Sequence, residues 1–437
     1  MQCKYHQSWL LISILCLSQI TKPIASEKLI KHNDLLSSKQ LVTAVLQANP
    51  QLEVAQAAWE ASMARIDQQA SFEDPLFSYT MAPQTIGNSQ TEYGQRIEIS
   101  QKLPWPGKLH LRNQAASHKA DAASQTINSI RLRLSGAARS FFADWYYIHQ
   151  AIQINQLNQS LLKEFRAIAV SRYSTGLASK QDALRADMEF ALLEHQAIVL
   201  AREQSSIRAH INTLLNKLPD SMLSQPAGLA EIKTLPAVKL LQEQALHARP
   251  ELKAFAANIE AAKSQSELAL RNNYPDISLK AGYNSLWENS SKHFTVGIGF
   301  NLPLFQAKHR AAENEALAQI KQAEWQRVDF IAKLRENIQI SYERTAESMH
   351  VLKLYKHKLL PLAEETLHAA QSDYQSGKGD FLSLISSEKN YMQTQLQAEQ
   401  ALADTHRRLA ELESAVGQLA PQINEPIPVF PTLIENN

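Results

Sequence analysis

The sequence predicts an α+β membrane protein made of two internal repeats, each carrying a pair of short strands followed by very long helices. Three observations point there. The two halves share ordered matches at an offset of about 200 residues. Four short segments alternate in hydrophobicity with period two, and the stretch 107–217 that follows the first pair carries heptad spacing and no proline. Glycine is scarce, at 12 in 437 residues, which favours long helices over several small domains.

The chain opens with Lys4, an apolar run from Trp9 to Leu17, and small residues at Ala25 and Ser26, the layout of a secretory leader over 1–26. Its removal takes away Lys4 and Lys22 and no acid, which moves the formal charge from +1 to −1. It also takes away Cys3 and Cys16, the only cysteines, so the remaining chain needs no disulfide and offers no thiol for metal or nucleophilic chemistry. Cys16 has a second reading as a lipidation site, against which Leu15 stands where a small residue is usual. A near-neutral chain has no global field that would attract nucleic acid. Beyond the leader no apolar run approaches the roughly 20 residues of a membrane helix, so membrane insertion has to use strands.

The first repeat is expected over 27–217 and the second over 241–417, with an irregular linker at 218–240 and an irregular tail at 418–437. The matches run in one order. Asn49-Pro50-Gln51-Leu52 returns as Arg249-Pro250-Glu251-Leu252, Pro75 and Ser78 as Pro275 and Ser278, Leu103-Pro104 as Leu302-Pro303, and Tyr173 to Gly176 as Tyr374 to Gly377. Strands are expected over about 76–82, 92–103, 277–284 and 293–302. Phe77, Tyr79 and Met81 alternate with Ser78 and Thr80, and Tyr93, Ile97, Ile99 and Leu103 with Arg96, Glu98, Ser100 and Lys102. In the second pair Ile277, Leu279, Ala281 and Tyr283 alternate with polar residues that include Lys280, and Phe294, Val296, Ile298, Phe300 and Leu302 alternate with Thr295, Gly297, Gly299 and Asn301. One face suits lipid and the other water, the pattern of transmembrane barrel strands. Arg96, Glu98 and Lys280 are therefore expected to line a barrel lumen.

Unpaired sheet edges cannot face hydrocarbon, and single-chain barrels begin at eight strands, so four strands require an oligomer. Two copies give eight strands and three give twelve; twelve suits a duct, because eight-stranded barrels fill with their own side chains. Long helices are expected over 107–217 and 304–417. Leu134, Ala138, Phe141, Trp145, Ile148 and Ile152 follow 4-3-4-3-4 spacing, a coiled-coil seam. The stretch from Leu109 to Tyr173, taken as one helix, spans roughly 100 Å. Helical patterning by itself fits either such a rod or an ordinary bundle with bends.

Helix, two strands, long helices and a tip at Tyr173-Ser174-Thr175-Gly176, then the same again, resembles the TolC outer-membrane efflux family over about 35–417. The resemblance implies a homotrimer whose twelve strands form one barrel in outer-membrane lipid. Below it would stand an α-helical coiled-coil tunnel crossing the periplasm to an adaptor protein and an inner-membrane pump. Gln101-Lys-Leu-Pro-Trp-Pro-Gly-Lys108 resembles the branch that serves heavy-metal pumps of the resistance-nodulation-division type, which implies metal cations as cargo. Its physical role is a strand-to-helix corner, where prolines stop the ladder and Gly107 allows the turn. The same family layout also serves drugs and secreted polypeptides, and a soluble periplasmic coiled-coil adaptor would share the heptads but not the alternating segments.

The resemblance also assigns the tips. Arg172, Tyr173, Gly176, Leu177 and Asp182 are similar to the family's adaptor-facing tip, and Gly377 is the matching turn of the second repeat. Tyr374 matches a tyrosine that, in related channels, ties the inner hairpin to the outer one, which implies a hydroxyl to Asp182 hydrogen bond that holds the entrance closed. Gly379 stands where that latch often has an arginine, and Ser383 and Ser386 where relatives carry a cation-binding ring; Asp380 could substitute in part or simply start a helix. No enzymatic constellation, cofactor motif or metal cluster is expected: Gly297-Ile-Gly299 is a lone pair inside a strand, His350 and His357 lie two turns apart, and the methionines form no run.

Overall fold

The computed structural model describes residues 35–83, 86–87, 94–230, 232, 234–285 and 293–418. The expected leader, both cysteines, Tyr93 and the tail beyond 418 lie outside the described residues. The first half runs α1 (Ser38–Ala48), α2 (Pro50–Ala70), β1 (Leu76–Met81), β2 (Gln95–Leu103), α3 (Lys108–Ser174) and α4 (Lys180–Leu214). The second repeats it as α5 (Val238–Ala248), α6 (Pro250–Arg271), β3 (Ile277–Asn284), β4 (Phe294–Phe300), α7 (Gln306–Leu354), α8 (Leu360–Gln375) and α9 (Phe381–Val416). Helix α5 begins at Val238, inside the stretch expected as linker, because Pro236 is the last residue that forbids a helical continuation.

Local chemistry starts and stops these elements. Ser37 caps α1 reciprocally: its hydroxyl accepts from the Gln40 amide at 3.3 Å, and the Gln40 side chain accepts from the Ser37 amide at 2.8 Å. Asn49 caps α2 ahead of Pro50 and also donates to the Leu214 carbonyl at 3.0 Å, satisfying the last turn of α4. At the matching position Arg249 offers no N-cap, yet it donates to the Ser414 carbonyl at 2.7 Å and so closes the last turn of α9. Two different side chains thus fasten each short helix pair to the returning long helix.

All four strands pair antiparallel in the order β1-β2-β3-β4, so β2 and β3 join the two halves. The register sets Phe77, Ile99, Ala281 and Val296 in one row and Tyr79, Ile97, Tyr283 and Phe294 in the next. Strand β4 ends at Phe300, short of the expected 302, because the Asn301 side chain turns back to accept from the Asp276 amide and Pro303 follows.

Helix α3 is one unbroken helix of 67 residues, about 100 Å long. Its buried residues run from Lys108 to Ala169, since α2, α4, α6 and α9 all pack against it. The seam is present but drifts: Leu134, Ala138, Trp145 and Ile148 are buried as spaced, while Phe142 and Ala151 take the inner places and Phe141 and Ile152 sit at the margin. The counterpart in the second half is interrupted by a π-helical turn at Tyr355–Leu359. Pro361 lacks the amide that would reach the fourth carbonyl back, and its ring crowds that carbonyl, so the helix widens there. Among the described residues three apolar clusters hold the chain together: one where α1 and the connector meet α3, one among α5, α7 and α9, and one at the tips.

Candidate functional site

The tips are two helical hairpins built alike. Gly176 and Gly377 take φ of +76° and +78°, the left-handed conformation that ends a helix without a Cβ clash. The amide of Leu177 reaches back to the Arg172 carbonyl at 2.8 Å, and that of Lys378 to the Asp373 carbonyl at 2.9 Å. Ser179 then caps α4 and Asp380 caps α9, where the Asp380 carboxylate accepts from the Ser383 amide at 2.6 Å. This bond holds the Asp380 carboxyl below its usual range, and the residue is spent on starting the helix. Tyr173 and Leu177 point out to solvent at 48% and 70% exposure.

The two hairpins meet through Leu162, Phe165, Ala169, Ala186 and Leu193 on one side and Leu367, Tyr374, Phe381, Leu384 and Ile385 on the other. Tyr374 is 3% exposed, with its ring 5.3 Å from Phe381 and under the Arg172 guanidinium at 4.8 Å. Arg172 also donates from Nη1 to the Tyr374 carbonyl, so an arginine of the first hairpin closes the last turn of the helix in the second. The hydrogen bond expected between the Tyr374 hydroxyl and Asp182 is not made: that hydroxyl is buried without a partner. Wedging the ring between Arg172 and Phe381 sets its direction and carries the hydroxyl away from an acceptor. Burial pushes the phenol up, the Asp182 charge adds to this, and Arg172 opposes it. Nothing in the sequence marked Arg172 as the partner of Tyr374, which lies 202 residues away.

On the sheet, Arg96, Glu98 and Lys280 share the face opposite the aromatic rows. Arg96 and Glu98 are ion-paired, and the Lys280 ammonium stands 3.7 Å from the Glu98 carboxylate. On the other face Phe77, Tyr79, Phe294, Val296, Ile298 and Phe300 are all exposed, Val296 at 88%.

The corner after β2 is a clamp between the halves. Lys108 is 2% exposed and its ammonium donates to Asp276 at 2.7 Å and to the Tyr274 carbonyl at 2.9 Å. Burial alone would raise the Asp276 carboxyl, but the Lys108 bond and the Trp105 amide outweigh it and hold the group below its usual range. Trp105 stacks on Tyr274 at 5.4 Å. Gly107, at φ +88°, leaves room for Arg271, whose guanidinium donates to the Pro106 carbonyl at 3.0 Å; a Cβ there would stand 2.7 Å from Arg271 Nη1. Every distinctive residue from Trp105 to Lys108 is therefore engaged in the corner. Among the described residues no group of three or more His, Cys, Asp or Glu is placed to hold a metal ion, and no helix is long and apolar enough to cross a membrane.

Residues 241–418 match the family model described as outer membrane efflux protein. The chain is 19% identical to the cobalt-zinc-cadmium resistance protein CzcC of Cupriavidus metallidurans over 315 residues, covering 71% of this chain and 74% of that one. Among solved structures it is similar to the outer-membrane channel OprN, with a TM-score of 0.73 at 20% identity, covering 90% of this chain and 95% of that one. It is equally similar to CusC, with a TM-score of 0.74 at 16% identity, covering 87% and 92%. This protein thus has the fold of these channel structures, with four antiparallel strands, long helices and repeated halves shared along nearly the whole described chain, and its second half matches the outer membrane efflux protein family.

Proposed function

We propose that three copies of this chain close one twelve-stranded barrel in the outer membrane, and that their long helices form the periplasmic tunnel of a passive exit duct. The observation that carries this reading is a four-stranded sheet with an exposed apolar face and two edges, β1 and β4, that no strand of the same chain covers among the described residues. Such edges are intolerable in hydrocarbon unless another copy pairs with them. Helix α7 supports it: Leu317, Trp325, Val328, Ile340 and Val351 lie exposed along it, an apolar face suited to a neighbouring helix of another copy. Mass measurement of the detergent-extracted protein tests the reading; a trimer is expected, and a stable monomer without detergent overturns it.

The duct receives solutes from an inner-membrane pump through a periplasmic adaptor, which docks at the exposed tips around Tyr173, Gly176, Leu177 and Gly377. Heavy-metal cations are the proposed cargo, supported by the similarity to CzcC. The corner motif adds nothing to that assignment, since its residues have structural duties. The entrance is held closed by Arg172, which joins the hairpins by stacking on Tyr374 and capping its carbonyl; Asp182 contributes its charge nearby. Arg172→Ala should raise single-channel conductance in planar bilayers. Tyr374→Phe should follow wild type if the ring carries the latch, and follow Arg172→Ala if the hydroxyl does.

A further inference from the structure

We infer that the closed entrance is proton-sensitive, with Glu388 of α9 set against Glu189 of α4 across the joint between the hairpins so that its ionisation loosens that joint. This rests on reading the hairpins as the entrance. Glu388 lies seven residues into the second hairpin from Phe381, two helical turns above the tip. It continues the inward stripe of Phe381, Leu384 and Ile385, is 3% exposed, and its Oε1 atom is buried without a hydrogen-bond partner. A carboxylate in that position is costly, because neither water nor a donor replaces its lost hydration.

The surrounding charges do not relieve it. Glu189, from the opposite hairpin, adds a like charge. Lys389, the neighbour on α9, is directed to Glu189 at 3.6 Å and is half exposed, so it neutralises the partner more than Glu388. On α3, Lys163 sits over the Phe190 ring at 5.2 Å and Arg166 is paired with Asp187. On α8, Glu364 acts on Tyr391, and Arg185 of α4 acts on Asp380. Burial first and Glu189 second raise the Glu388 carboxyl from 4.5 to about 7, against the weaker pull of Lys389.

The sign follows from which state holds the proton more tightly. With the hairpins packed, Glu388 keeps its proton up to about pH 7, and once they part and water enters, it releases the proton near its ordinary value of 4.5. The closed state therefore has its full advantage below pH 4.5 and loses it progressively as pH rises towards 7. A shift of this size makes the opening equilibrium of each protomer rise on the order of tenfold or more across that window.

The experiment is open probability in planar bilayers between pH 5 and pH 8 for the full-length wild type, Glu388→Gln, Glu189→Gln and Arg172→Ala. Wild type should open as pH rises, and Glu388→Gln should stay at the acid level throughout. Glu189→Gln, which removes the like charge, should move the midpoint to lower pH, and decides the matter if Glu388→Gln fails to assemble. A wild-type pH profile in Glu388→Gln, or an unmoved midpoint in Glu189→Gln, overturns the inference. If Arg172→Ala opens the channel while the pH profiles stay alike, the entrance reading stands and only the proton device fails. If Arg172→Ala has no effect, it is the latch that fails.

Discussion

Helix α3 and its repeat counterpart, α7 with α8, occupy the same place in their halves and live in different surroundings. Buried residues follow α3 from end to end, whereas α7 buries only Ala316, Leu334, Ile338, Thr345 and Leu352. Phe330, Ile331 and Tyr342 are half-buried against the cluster shared with α5 and α9, while Leu317, Trp325 at 70% exposure, Val328 and Ile340 face outward. One helix is the mast of the chain; the other keeps an exposed apolar flank, which in the proposed trimer would meet a second copy. Duplication supplied two long helices, and burial on one side of the repeat only has given them separate work.

Two tryptophans break that comparison most sharply. Trp145 of α3 is 2% exposed and donates to the Ser224 carbonyl at 3.0 Å, so Trp145→Ala should cost about 3 to 5 kcal/mol and lower the thermal midpoint of the isolated protomer. Trp325→Asp should leave the helical circular dichroism intact and abolish the trimer in detergent; loss of helix instead would place Trp325 in the fold of the single chain. Next in size are the strand faces. Ile298→Arg should cost about 2 to 4 kcal/mol if it meets lipid near the midplane, read as failed assembly in membranes. Lys280→Gln, on the face that carries Glu98, should assemble normally and alter ion selectivity.

The fastenings of the two short helix pairs should differ more gently. Asn49→Ala removes an N-cap and a donor to α4, a loss of about 1 to 2 kcal/mol in chemical denaturation. Arg249→Ala removes the tie to α9 together with the Arg249–Glu251 ion pair and should cost about 1 to 2 kcal/mol. Smallest is Pro361→Ala, which restores an amide to the second long helix and should gain about 1 kcal/mol while slowing hydrogen exchange across Tyr355–Leu359.

The strands and the repeat were legible because both are periodic: alternation at Phe77, Tyr79, Ile298 and Phe300 needs no knowledge of distant residues, and neither do the glycine turns at the tips. Pro361 carries a local signal for the π-helical turn, but the expectation over 304–417 is of long helices broken only at the turn Tyr374 to Gly377. Glu388 also left a trace, an acid continuing the apolar spacing of Phe381, Leu384 and Ile385. The Arg172 stack on Tyr374 and the burial of Lys108 against Asp276 left none. Each joins residues more than 160 positions apart, and a lysine after a turn reads as a solvated helix start until the other half arrives to cover it.

The sheet order has one more consequence. Because each chain contributes an even number of antiparallel strands with β1 and β4 at its borders, β4 of one copy runs in the right direction to pair with β1 of the next. Contacts of this kind would be heterologous, one patch meeting a different patch, so copies of the proposed oligomer would join head to tail around a single rotation axis. Pairing of β4 with β1 is thus compatible with a cyclic ring of any size, every chain pointing the same way. A polar axis is what the proposed one-way conduit needs, and the arithmetic of strands within a single chain permits it.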